Sequence, residues 1–122
     1  MITYTLLAEE GIIIIEPAGL IRQSDFGELT KDMDNHLRQK GMLRGLIIHS
    51  ESFPRWDDFG AFLKDMQFVF GYQRKIKRVA SVTDSRLFMV VHGIARHVLF
   101  PEIKHFYYGE LEAAKKWIQE AR

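Results

Sequence analysis

His49 has the neighbours from which a hydrolytic site is built. It ends the apolar run Gly45–Leu46–Ile47–Ile48, and Ser50, Ser52, Asp57 and Asp58 follow within nine residues. A serine, a histidine and an aspartate can form a nucleophilic triad, in which imidazole takes the hydroxyl proton and a carboxylate orients the ring. The Gly-x-Ser-x-Gly elbow that exposes such a serine is missing. Hydrolysis around His49 is therefore kept as a remote alternative, and no catalytic residue is assigned. His36, His92, His97 and His105 are scattered, without a His-Glu-x-x-His pattern. His92 and His97 are five residues apart, which is not a helical metal spacing. Cysteine is absent, so thiolate nucleophiles, disulfides and cysteine-ligated metals are excluded. Neither the phosphate-cradling Gly-x-x-x-x-Gly-Lys-Ser/Thr loop nor a Gly-x-Gly-x-x-Gly fingerprint occurs. No metal and no cofactor is expected.

Three other groups of residues have chemistry to offer. Arg22, Arg55 and Arg86 can supply charge and Trp56 an apolar wall beside His49, Ser50, Asp57, Asp58, Asp84 and Ser85. Together they would suit a small ligand with an apolar body and an acidic end. The plainer reading has the arginines pairing the aspartates, the polar residues capping helices and Trp56 filling a gap. The basic run Arg74, Lys75, Lys77, Arg78 can answer the C-terminal dipole of a preceding helix. No aromatic residues interleave it as an RNA-binding surface would require. The stretch Leu87–Ala95 is apolar around nearly its whole circumference, and Val98, Leu99 and Phe100 extend it. A surface helix normally keeps a polar face. Phe88, Met89, Val91, His92, Leu99 and Phe100 are therefore candidates for an interaction surface, first of all between two copies of the chain.

The elements that must position these residues follow from hydrophobic period. Ile2–Leu7 alternates weakly and reads as an edge strand. Ala8–Gly11 is a turn. The run Ile12–Ile15 suits a strand covered on both faces, and Pro17 ends it. The first two strands make an antiparallel hairpin. Phe26, Leu29, Met33 and Leu37 share one face of a first helix, with Asp25 and Glu28 as a capping box and Gly41 as its stop. Strands are expected at 45–50, 78–83 and 103–108. Helices are expected from Asp57 or Asp58 to Phe70, over 86–95 and over 110–121, the last turning Leu111, Ala114 and Trp117–Ile118 inward. The order is β-β-α-β-α-β-α-β-α: one open mixed α/β sheet, with a hairpin and then parallel strands joined by helical crossovers. Such a sheet gathers its ligand crevice at the carboxyl ends of its strands.

The chain has 122 residues, 47% of them hydrophobic, enough for one domain over 1–122 with a real core. Its formal net charge of +1 gives no general attraction to nucleic acid. No segment reaches 18 consecutive apolar residues, so membrane insertion is not expected. Met1–Ile2–Thr3–Tyr4 lacks a basic n-region and reads as a start that enters a strand directly. These features fit a cytoplasmic protein.

Taken together, the opening hairpin ending in Ile13–Ile14–Ile15–Glu16, Gly45–Leu46–Ile47–Ile48 and the Phe53–Pro54–Arg55–Trp56 loop resemble the STAS superfamily of sulfate transporters and antagonists of anti-sigma factors. Asp65–Met66–Gln67–Phe68, Lys77–Arg78–Val79–Ala80 and Leu111–Glu112–Ala113–Ala114–Lys115–Lys116–Trp117 carry the same likeness, most closely to its small stand-alone bacterial branch. The resemblance implies a non-enzymatic regulatory module whose partner is another protein or a second copy of itself. In the antagonists, a serine just before the second helix is phosphorylated. Here that place reads Ser50–Glu51–Ser52–Phe53–Pro54–Arg55–Trp56–Asp57–Asp58, and no serine matches the motif. A phosphoserine beside Asp57 and Asp58 would also meet like charge. The alternative is a binding or carrier protein for a small amphipathic or lipid-like molecule, suggested by Trp56, the phenylalanines of the second helix and the apolar stretch at 87–100.

Overall fold

Four consecutive isoleucines set the middle of the molecule. In the computed structural model, which describes residues 2–17, 23–51, 73–84 and 101–121, Ile12 to Ile15 are all buried. They can be so only if both faces of their strand are covered, because successive side chains point to opposite sides. Ile13 and Ile15 join one core cluster, Ile12 and Ile14 the other. Burying such a side chain is worth about 1.5–3 kcal/mol relative to leaving it in water.

Five strands form one sheet in the order β1-β2-β3-β4-β5: β1 (Ile2–Leu7), β2 (Ile12–Pro17), β3 (Leu43–Ser50), β4 (Ile76–Thr83) and β5 (Glu102–Phe106). β1 and β2 are antiparallel, and every later pairing is parallel. The hairpin turns through Gly11 at φ +69, with its N–H donated to the Leu7 carbonyl at 2.9 Å. Leu46 lies opposite Val79, Ile47 opposite Ala80 and Val82 opposite Phe106, so the expected side-by-side strands run in a common direction.

Helix α1 (Gly27–Lys40) covers one face with Leu29, Met33 and Leu37. Helix α2 (Leu111–Gln119) covers the other with Ala114 and Ile118. The two helices end on contrasting signals. Gly41, at φ +78, closes α1 by donating its N–H to the Leu37 carbonyl at 2.8 Å. Past Gln119, Glu120 keeps right-handed helical angles.

Several expectations need correction. The capping box of Asp25 and Glu28 does not start α1. A 3-10 turn, Gln23–Phe26, takes up Asp25, and the α-helix begins at Gly27 with Phe26 at its N-cap position and no side-chain cap bond. β3 and β4 begin two residues earlier than expected, because Leu43 and Ile76 pair and both enter the core. Pro17 is the last residue of β2 rather than the first beyond it, since it pairs with Ile2 of β1 and needs no N–H there. β5 stops at Phe106, two residues short, because Tyr107 and Tyr108 turn away into a second 3-10 turn, Tyr108–Glu110. The expected helices from Asp57 or Asp58 to Phe70 and over 86–95 lie outside the described residues.

Candidate functional site

Parallel pairing brings the carboxyl ends of β2, β3 and β4 to one end of the sheet. Ile15 lies opposite Ile48, so Glu16 follows beside His49; Ser50 lies opposite Thr83, so Asp84 comes next. Alternation then sorts the side chains by face. Ile14 and Ile47 belong to the α2-side cluster, as do Ala80 and Val82. Glu16, His49 and Asp84 stand two residues beyond Ile14, Ile47 and Val82, on that same face. Ser50 points to the opposite, α1-side face.

The short β5 supplies the remaining partner. Its chain leaves the sheet at Phe106, and Tyr107 donates its N–H to Glu110 Oε1 at 2.8 Å while Glu110 returns its own N–H to the Tyr107 carbonyl at 2.9 Å. This turn lays Tyr108 over His49. The rings are parallel within 6° and 4.4 Å apart between centroids. The Tyr108 carbonyl lies 3.3 Å from His49 Nε2, and Glu16 Oε2 lies 3.3 Å from Nδ1. Asp84 Oδ1 accepts the Tyr108 N–H at 3.0 Å. On β5 itself, His105 Nε2 donates to the Thr83 carbonyl at 2.7 Å, and its ring meets Tyr107 edge-on.

A carbonyl and a carboxylate both accept, so a neutral His49 ring can donate to one of them and the imidazolium to both. The His49 side chain is only 11% exposed. A general base needs a nitrogen lone pair aimed at a hydroxyl. Neither His49 nitrogen is so aimed among the described residues, and Ser50 is across the sheet. Ser52, Asp57 and Asp58 lie outside the described residues.

Of the residues singled out by sequence, His49 and Asp84 are brought together through Tyr108, and Ser50 is placed on the other face. Arg22, Trp56, Asp57, Asp58, Ser85 and Arg86 lie outside the described residues, as do Phe88, Met89, Val91, His92, Leu99 and Phe100. The sequence reading missed Glu16, Tyr107 and Tyr108. Glu16 was legible as the first polar residue after a buried run on the strand beside His49. Tyr108 was not, because its place depends on where β5 lets go of the sheet. Among the described residues, no group of three or more His, Asp or Glu side chains could hold a metal ion. No helix among them is long and apolar enough to cross a membrane.

The basic run falls at the other end of the sheet, where β4 begins. Arg78 stacks over the Trp117 ring at 4.7 Å, donates to the Trp117 carbonyl and pairs with Glu102 at 3.7 Å. That residue joins β4 to α2 instead of standing in solvent.

A structure from Shewanella loihica PV-4, an uncharacterised protein of the DUF3478 family with a SpoIIAA-like fold, superposes with a TM-score of 0.67. It is 18% identical, and the match covers 97% of this chain and 92% of that one. At that identity the likeness speaks for the fold. No curated protein matches. The family model described as SpoIIAA-like matches residues 12–119, from the first buried isoleucine to the end of α2. The chain therefore belongs to the SpoIIAA-like family, and the STAS resemblance of its hairpin, parallel strands and closing helix stands.

Proposed function

We propose that this protein is a non-enzymatic interaction module of STAS type, working in the cytoplasm, that associates with a second copy of itself or with another protein. The observation that carries the reading is the state of His49. Both its nitrogens face protein acceptors and Tyr108 covers its ring. The most chemically capable side chain at the strand ends is thus spent on architecture: its ring links β3 to Glu16 of β2 or to the turn before α2, and to both when it carries two protons. The same turn leaves Tyr107 62% exposed. Tyrosine supplies large, stiff contact area and is enriched among residues that dominate binding energy. The apolar sequence at 87–100 would provide the larger part of a self-association surface, with Phe88 and Met89 as anchors.

Light scattering tests this directly. The purified chain should show a dimeric mass, and Met89→Asp should yield monomers with unchanged circular dichroism. A wild-type protein that is monomeric and captures no protein would end the proposal. The carrier alternative is separated by extracting the protein into organic solvent and weighing what is released; stoichiometric lipid would favour it over an interaction module.

A further inference from the structure

A cavity of about 200 Å³ opens at the amino ends of the parallel strands, at the opposite pole from His49. Gly11, Arg44 and Lys77 precede Ile12, Gly45 and Arg78, which lie side by side in the sheet. One row of the sheet therefore brings a glycine and two cations together. The last turns of α1 add His36 and Lys40 to the same cavity. Glu9 and Glu10 also line it, so the lining has three cations against two carboxylates.

The partners of these groups are unequal. Glu10 accepts from Gln119 Nε2 at 3.2 Å, and Arg44 donates one guanidinium nitrogen to the Gln119 carbonyl at 3.2 Å. Among the described residues, no carboxylate comes within ion-pair distance of Lys40, Lys77 or Arg44. His36 is 5% exposed, and its Nε2, sealed from solvent, has no hydrogen-bond partner among the described residues. Buried ring nitrogens in folded proteins are normally satisfied. Gly11 keeps the wall low: a β-carbon there would lie 3.4 Å from that of Arg44, on a backbone at φ +69 that side chains rarely adopt.

We propose that this cavity is a site for a phosphate group, either free phosphate or the head of a phosphomonoester. Lys40 and Lys77 supply point charges, and Arg44 supplies its remaining N–H donors. Hydrogen bonds between ionised partners are roughly twice as strong as neutral ones, and a guanidinium matches phosphate oxygens in geometry. A phosphate is favoured over a carboxylate because its tetrahedral oxygens offer more acceptors to the donors of Lys40, Lys77 and Arg44. The site does not depend on the interaction module proposed above, which uses the other pole.

The test is a two-dimensional amide NMR titration of the whole chain with inorganic phosphate, and separately with O-phosphoserine, at ionic strength held constant with sodium chloride. Saturable shifts should appear at Gly11, His36, Arg44 and Lys77. In Lys40→Gln/Lys77→Gln the apparent affinity should fall about tenfold or more while the spectrum stays that of a folded protein. Tighter binding of O-phosphoserine than phosphate identifies a monoester site, and the reverse a free-ion site. The proposal is overturned by shifts that grow without saturating, that match a chloride control, or that persist in the double variant.

Discussion

Tyr4 shows how one side chain on an edge strand acquires an energetic role. It projects from β1 toward α1 and donates its hydroxyl to Asp32 Oδ2. That bond, with loss of hydration and the charges of Asp32 and Glu28, pushes the phenol from 10.0 up to about 12. The folded chain thus holds the phenolic proton more tightly than the unfolded chain does. The resulting stabilisation is complete below pH 10 and is lost as pH rises from 10 toward 12, where the unfolded state releases its proton first. Tyr4→Phe should cost about 1 kcal/mol in urea denaturation at pH 7. It should also flatten the decline in stability between pH 10 and 12; an alkaline decline equally steep in the variant would refute the assignment. Asp84→Ala makes a second residue-scale test. It removes the acceptor of the Tyr108 N–H and should cost about 1 kcal/mol, with Asp84→Asn, which keeps an oxygen acceptor, costing less.

At the scale of elements, the closest fit is α2 on β3. A β-carbon built on Gly45 would lie 2.2 Å from Ile118 Cγ2 and 2.6 Å from its Cδ1, far inside contact distance. Ile118 is fully buried and β-branched, so it has little freedom to move aside. Gly45→Ala should therefore destabilise the protein by about 1–3 kcal/mol through overpacking. Ile118→Ala alone should cost about 2–5 kcal/mol through the cavity it leaves. The double variant should be more stable than the sum of the two losses implies, because each change relieves the other. Strictly additive losses from thermal melts would mean that α2 does not seat on Gly45. The same element carries the site: the turn before α2 places Tyr108 on His49, across 59 positions of sequence.

Across the whole molecule, the mixed sheet orders stability from its centre outward. β3 has a paired strand on each side and a helix packed over each sheet face, whereas β1 and β5 are edges. Amide hydrogen exchange should be slowest at Leu46 and Ile47 and fastest along β1 and β5. Protection in β1 equal to that in β3 would contradict this arrangement. The strand series, the hairpin, the two-sided burial of β2 and the stop of α1 at Gly41 were legible in sequence, because β-branched runs, helical period and glycine act over a few residues. The start of α1 was misread because a 3-10 turn and a capping box share the same polar residues. The end of β5 was misread because Tyr107 and Tyr108 suit a strand as well as a turn. Local patterning thus determined by itself that this chain builds a mixed sheet, a hairpin followed by parallel strands, and that His49 and Asp84 lie at the carboxyl ends of those strands. Only the tertiary structure decided that His49 is held between Glu16 and Tyr108. It alone brought the hairpin turn, α1 and the starts of β3 and β4 around a cavity at the opposite pole. Those placements depend on strand register and on where each strand leaves the sheet, which are set by packing between segments far apart in the chain and leave no periodic trace in any one of them.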